Sequence, residues 1–136
     1  MQRSTATRRR SGRHMDGVEV RVSLAARPAS LPTLRAIAAQ VARSAEATPE
    51  LAVDLVIAVD EACSALIARA RERATLACRF HTDGTSVRFR AHVGTSAVTV
   101  PGHDSLYWRV VSSVTDAVTS WVDGDGLLHV ELRCRG

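Results

Sequence analysis

Thr48-Pro49-Glu50-Leu51-Ala-Val-Asp54-Leu55-Val56-Ile-Ala-Val59-Asp60-Glu61-Ala62-Cys63-Ser-Ala65-Leu66-Ile67-Ala-Arg69 is the stretch on which the fold turns. Thr48 can cap a helix, Pro49 suits its first position, and Glu50 complements the positive end of its dipole. The spacing predicts a helix from Thr48 to about Arg71. Leu51, Leu55, Val59, Ala62 and Leu66 form one apolar stripe, and Val56, Cys63 and Ile67 widen it. A stripe that wide belongs to a helix packed on several sides.

Upstream, Val18, Val20, Val22 and Leu24 alternate with polar residues, the pattern of a half-buried strand that Pro28 ends. Ser30 is placed to cap a helix that accepts Pro32 in its first turn and carries Leu31, Leu34, Ile37, Ala38, Val41 and Ala45. Downstream, Leu76, Cys78 and Phe80, then Val87, Phe89, Ala91 and Val93, alternate on either side of Asp83-Gly84, which predicts a hairpin. A loop through Pro101-Gly102 leads to a third helix, capped by Asp104 or Ser105 and carrying Leu106, Val110, Val114 and Ala117. A short strand over Val118–Val122, a turn at Gly124-Asp125-Gly126 and a strand through Leu128, Val130, Leu132 and Cys134 complete the chain. The order is β-α-α-β-β-α-β-β. This predicts a two-layer α/β (α+β) sandwich, a mostly antiparallel sheet with one wet face and three helices on the other.

A chain of 136 residues, 46% of them hydrophobic, makes one domain with a real core. It has no apolar run of membrane-spanning length and no signal-peptide pattern. The formal charge is +4, and every basic residue is an arginine. Residues 1–14 hold Arg3, Arg8, Arg9, Arg10 and Arg13 with no acid, so the remainder sums to −1. The basicity therefore belongs to a tail, and direct nucleic-acid binding by the domain is not expected. Residues 1–16 read as a disordered basic extension and 17–136 as a single domain, with Met15 an alternative start. Cys63, Cys78 and Cys134 are unpaired in spacing and read as buried thiols of a reduced, cytoplasmic protein. The five scattered histidines form no metal motif.

The densest polar cluster is on the second helix. Asp60 and Glu61 are adjacent, so they point about 100° apart and cannot work as a paired acid and base. Glu61 shares a face with Asp54 and Ala65. An acid in mid-helix is ordinarily solvated, but this helix is otherwise apolar nearly all round, which places Glu61 at the edge of a pocket.

The segment Asp54 to Ala70 resembles the central helix of the RsbW/SpoIIAB-type anti-sigma factors, small serine kinases of the GHKL (histidine-kinase-like ATPase) fold. The element order matches over residues 17–135, and Ser120 to Leu132 suits the family's last two strands. The resemblance is to actinobacterial members with weakened nucleotide motifs. It implies that Glu61 is the general base that activates a substrate serine. It also implies ATP and Mg²⁺ as cofactors, yet Ala65 stands where the family has its metal-holding asparagine, and Arg69 replaces a histidine. In His92-Val93-Gly94-Thr95-Ser96 only Gly94 of the adenine-reading motif remains, and Pro101 to Trp108 lacks the Gly-rich phosphate loop. Tyr107 and Trp108 are either fillers of that pocket or helix-packing aromatics. Arg35 matches an arginine of the first helix that contacts partners in a homodimer.

The expectation is an anti-sigma factor that inhibits an alternative sigma factor by binding, with nucleotide binding weakened or lost. Its partners would be the sigma factor and a STAS-type anti-anti-sigma protein. The alternatives are an active ATP-dependent protein serine kinase phosphorylating that antagonist, and a nucleic-acid-binding module using the arginine tail. Fold resemblance alone does not choose among them.

Overall fold

The Thr48 hydroxyl accepts a hydrogen bond from the Leu51 amide at 3.1 Å, so the central helix starts where its cap predicts. The computed structural model describes residues 17–97, 99, 100, 102 and 105–135; the basic segment 1–16 lies outside them. In chain order the elements are β1 (Glu19–Ala25), a 3₁₀ turn (Pro28–Ser30), α1 (Leu31–Ser44), α2 (Pro49–Ala68), β2 (Thr75–Asp83), β3 (Ser86–Gly94), α3 (Leu106–Val114), β4 (Ala117–Val122) and β5 (Leu127–Cys134). The five strands form one sheet in the order β1-β2-β3-β5-β4, and every neighbouring pair is antiparallel.

α2 packs against α1 on one side and α3 on the other, above β3 and β5. Its buried residues are Leu51, Leu55, Ala58, Val59, Ala62, Cys63 and Leu66, the predicted stripe and part of its widening. Each strand directs alternate residues to the helices, because successive side chains point to opposite faces. Phe80 and Phe89 face each other across β2 and β3 with ring centroids 4.8 Å apart. Leu76, Val87, Val93, Leu128 and Leu132 complete that layer. All three cysteines are free and buried. The neighbouring Cys78 thiol, with burial, holds the Cys63 thiol far above its ordinary range, so it behaves as a small apolar residue.

The predicted turn at Asp83-Gly84 is present, and the two connecting residues are Gly84 and Thr85. Asp83 pairs with Ser86, and Gly84 sits at φ +62°, a conformation that glycine adopts without penalty. At the start of β1, a Cβ on Gly17 would run into the Thr82 carbonyl, so only glycine lets the chain approach there.

Three local expectations are corrected. Ser30 precedes α1 but does not cap it with its side chain; its hydroxyl donates to the Ala25 carbonyl at 2.7 Å and closes the turn after β1. Val18 lies outside β1 and is half exposed, since β1 is a sheet edge. In α3 the buried residues are Tyr107 and Val111, while Leu106 is 68% exposed and Ala117 opens β4. The aromatic at 107 buries more surface than the leucine at 106 and so sets the helix's rotation. Ser105 is the α3 cap, accepting from the Trp108 amide at 3.2 Å; the alternative, Asp104, lies outside the described residues. Among the described residues no helix is long and apolar enough to cross a membrane.

On the outer face, Asp123 anchors the β4–β5 turn. Its carboxylate accepts from the Asp125 and Leu127 amides at 2.8 and 3.0 Å and meets His129 Nε2 at 2.7 Å. Burial, and then the nearby His129, hold the His92 imidazole below its ordinary value. The folded state therefore keeps His92 neutral where the unfolded chain would protonate it. That contribution is complete above about pH 6.5 and is lost as the pH falls below it. Asp123 is held low, by the His129 hydrogen bond first, and loses its contribution only at the lower pH of carboxylate protonation. The melting temperature should drop between about pH 7.5 and about pH 5.5. His92→Asn should flatten the drop, and an unchanged slope in that variant would contradict the assignment.

Candidate functional site

Away from its core stripe α2 is open, with Val53 58% and Ile57 37% exposed, and a half-buried strip borders the two sides. Glu61, Ala65 and Arg69 follow one another at four-residue steps and share one helix face. Glu61 and Ala65 are half-buried on that strip. Among the described residues Glu61 makes no hydrogen bond or ion pair. Arg69 is the residue that closes the helix, and its side chain folds back so that Nη1 donates to the Ala65 carbonyl at 3.3 Å. The guanidinium is thereby held against the carbonyl of Ala65, the residue one turn after Glu61.

The end of α2 is tied to the sheet by a residue that the sequence reading passed over. Thr95 is 2% exposed, and its hydroxyl donates to the Arg69 carbonyl at 2.6 Å while accepting from the Ala97 amide at 3.0 Å. Its own amide donates to the Gly126 carbonyl at 2.9 Å. One threonine thus links the end of α2, the end of β3 and the β4–β5 turn. The signal was present in the parity of Val87, Phe89, Ala91 and Val93, which continues inward to position 95. Gly94 is the last residue of β3, and its carbonyl accepts from the Arg71 amide at 2.8 Å. A Cβ there would meet only Arg71 Nη1 at 3.8 Å, an ordinary contact, so the backbone does not itself demand glycine.

Tyr107, at the start of α3, is buried, and its hydroxyl lies 3.1 Å from Ser120 Oγ on β4. Burial pushes its phenol upward, and the Ser120 hydrogen bond and the Arg69 charge oppose that shift. Arg69 and Tyr107 are therefore electrostatic neighbours across the α2–α3 contact. The Trp108 ring meets Tyr107 edge to face, with centroids 6.5 Å apart. Both aromatics pack in the helix layer. On the other flank, Arg35 Nη1 and Asp60 Oδ1 are 2.7 Å apart and join α1 to α2 beside Glu61. Among the described residues Arg35 is bonded to Asp60 and not to Gly94 or Thr95.

Residues 24–123 match the family profile described as the histidine kinase-like ATPase domain. The chain belongs to that family. The fold is similar to part of the solved structure of the RsbU and RsbW domains of Rv1364c from Mycobacterium tuberculosis, with a TM-score of 0.65 at 16% identity. That match covers 87% of this chain and 32% of the other, so the chain spans about a third of its length. No curated protein matches the chain in sequence.

Membership of an ATPase family implies ATP with Mg²⁺, and the residues present can be tested for fit. At the position that the resemblance gives to a metal-holding asparagine, Ala65 offers no side-chain oxygen, and the Arg69 guanidinium is bound to its carbonyl. A hard cation needs oxygen ligands and is repelled by a fixed positive charge. Directly after β3, Thr95, Ser96 and Ala97 carry no carboxylate, and the Thr95 hydroxyl is engaged by Arg69 and Ala97. Among the described residues no cluster of three or more His, Cys, Asp or Glu could hold a metal. These residues do not fit a magnesium ion.

Thr95→Val keeps the shape of the side chain and removes the hydroxyl, leaving a buried carbonyl and amide unpaired. It should destabilise the fold by about 1–3 kcal/mol, whereas Thr95→Ser should retain most of that stability. Urea unfolding of the three proteins checks this, and equal midpoints for Val and Thr would refute the tie.

Proposed function

We propose that this domain is an anti-sigma factor that sequesters an alternative sigma factor by binding, with nucleotide binding weakened or lost. The reading combines the family's fold with one observation, the Glu61–Ala65–Arg69 face, where a guanidinium bound to the Ala65 carbonyl stands in place of a metal ligand. Losing the cation site lowers affinity for a triphosphate but leaves the helical layer and sheet free to contact proteins. A STAS-type anti-anti-sigma protein would compete for the same surface, in a cytoplasmic homodimer. The arginine-rich segment 1–14 is not required by this reading.

The second reading, an active serine kinase, draws on Glu61 alone. Its carboxylate is unpaired among the described residues, as a general base for a serine hydroxyl must be. Isothermal titration with Mg-ATP separates the two. We expect no binding tighter than about 1 mM. Micromolar binding, or phosphate transfer to an antagonist serine abolished by Glu61→Ala, would establish the kinase and overturn the first reading.

Arg35 is the proposed partner contact on α1. In the free protein it is engaged by Asp60, an exposed pair worth about 0.2–1 kcal/mol. A sigma-factor carboxylate can exchange for Asp60 at that small cost. Arg35→Glu should therefore weaken capture of the sigma factor, while Asp60→Asn, which breaks the same pair but keeps the arginine, should not. Equal effects of both substitutions in a pull-down would reduce Arg35 to a structural role.

A further inference from the structure

The wet face of the sheet is organised by strand register, which brings like charges into direct opposition. Arg21, Arg79 and Arg90 stand side by side in one row across β1, β2 and β3. In the adjacent row Arg88 on β3 is paired with Arg133 on β5. Like charges directly opposite one another destabilise a sheet. The relief available is small, because two carboxylates serve four arginines. Glu19 is 3.0 and 3.3 Å from Arg21 and Arg79, and Glu131 is 3.5 and 3.9 Å from Arg90 and Arg88. Arg133 has no ion-pair partner among the described residues. Glu19, Arg79, His81, Arg88 and Arg90 together line a cavity of about 240 Å³ in this surface.

Two residues further along the strands, about 7 Å away, a third row carries rings. His92, His129 and Trp121 are register partners across β3, β5 and β4. The Trp121 and His129 rings are stacked, 4.8 Å apart and 2° from parallel, and His92 lies 5.1 Å beyond. β4 is the sheet edge, and Trp121 is 37% exposed there. Arginines beside a row of rings are what hold phosphates and stack bases of a single strand. An acidic peptide would use the arginines and leave the rings idle, and a second copy would set arginine rows against arginine rows. At the other end, Gly17 adjoins Thr82 and the His81 ring beside this cavity.

We propose that the open sheet face binds single-stranded nucleic acid, its arginine rows on phosphates and the Trp121 ring stacking on a base at the edge. This does not depend on the anti-sigma reading, since it uses the opposite face of the sheet from α2.

The test is fluorescence anisotropy of the full chain with a labelled oligouridine of about 15 nucleotides over a range of salt. Binding should weaken steeply as salt rises. Arg79→Glu with Arg90→Glu should lower affinity at least about tenfold and flatten the salt slope. Trp121→Ala should lower affinity by about tenfold with little change in slope, as loss of stacking does. Arg133→Glu, remote from Glu19, gives the same reading if the double variant fails to fold by circular dichroism. Deleting residues 1–14 should reduce but not abolish binding. The proposal is overturned if the full chain does not bind at low salt, or if binding depends on residues 1–14 and ignores the sheet substitutions. It is equally overturned if polyglutamate of equal length displaces the oligonucleotide as well as unlabelled RNA does. Self-association removed by Arg79→Glu/Arg90→Glu, without oligonucleotide binding, would make this a contact between copies and also refute it.

Discussion

α2 is enclosed by α1, by α3 and by the sheet, and that enclosure determines what the rest of the molecule can do. Seven of its side chains are buried, and each large one contributes about 1.5–3 kcal/mol by leaving water. A helix so fully committed to the core cannot rotate or slide without exposing that surface. Glu61, Ala65 and Arg69 lie on the half-buried strip that borders this core, beside an open side that exposes Val53 and Ile57. The polar residues flanking that strip do structural work. Arg69 turns back on its own helix, Thr95 fastens the helix end to two loops, and Tyr107 bonds to Ser120.

The consequence for mechanism is a difference between one group and its surroundings. A general base needs an unencumbered carboxylate near a hydroxyl, and Glu61 meets the first condition. Phosphoryl transfer, however, is mostly positioning and charge neutralisation by metal and donors around the phosphates. Here the neighbouring positive charge is a guanidinium already bound to a carbonyl, and the buried threonine hydroxyl is fully used. Glu61 by itself positions no phosphoryl group. Beside it, Asp60 engages Arg35 in a half-exposed charge pair, of a kind that can exchange for another partner.

The strands and the central helix were legible because their signals are strong and periodic. Alternation in Leu76–Phe80, Val87–Val93 and Leu128–Cys134 fixes which face is inside, and the Leu51–Leu66 stripe fixes the helix. The rotation of α3 was not legible, because Leu106/Val110 and Tyr107/Val111 are competing stripes one residue apart, and only packing against Ser120 and α2 decides between them. Ser30 looked like a cap because caps and turn residues share the same short hydroxyl side chains; its donation to Ala25 depends on where the strand ends. Glu61, Ala65 and Arg69 could be placed on one face from spacing alone. The engagement of Arg35 by Asp60 could not, since it joins residues on different helices.

Charge shows most clearly how register adds information that a sum removes. Beyond the arginine-rich start, the chain's charges nearly cancel in sum, yet they are not evenly spread. Register gathers Arg21, Arg79, Arg88, Arg90 and Arg133 on the outer sheet face, with Glu19 and Glu131 as the acids paired to them. The inner face locks this arrangement, because a one-residue slip would turn Phe80, Phe89 and Leu132 out to water. Each opposed arginine pair costs about 0.2–1 kcal/mol, which the burial of a single such core side chain exceeds. The fold thus tolerates the arginine rows without needing them. A chain with fourteen acids could have interleaved more of them on this face and gained stability. Arginine is concentrated there instead, next to a stack of rings, so the sheet's open side carries an arrangement that the stability of the fold does not require.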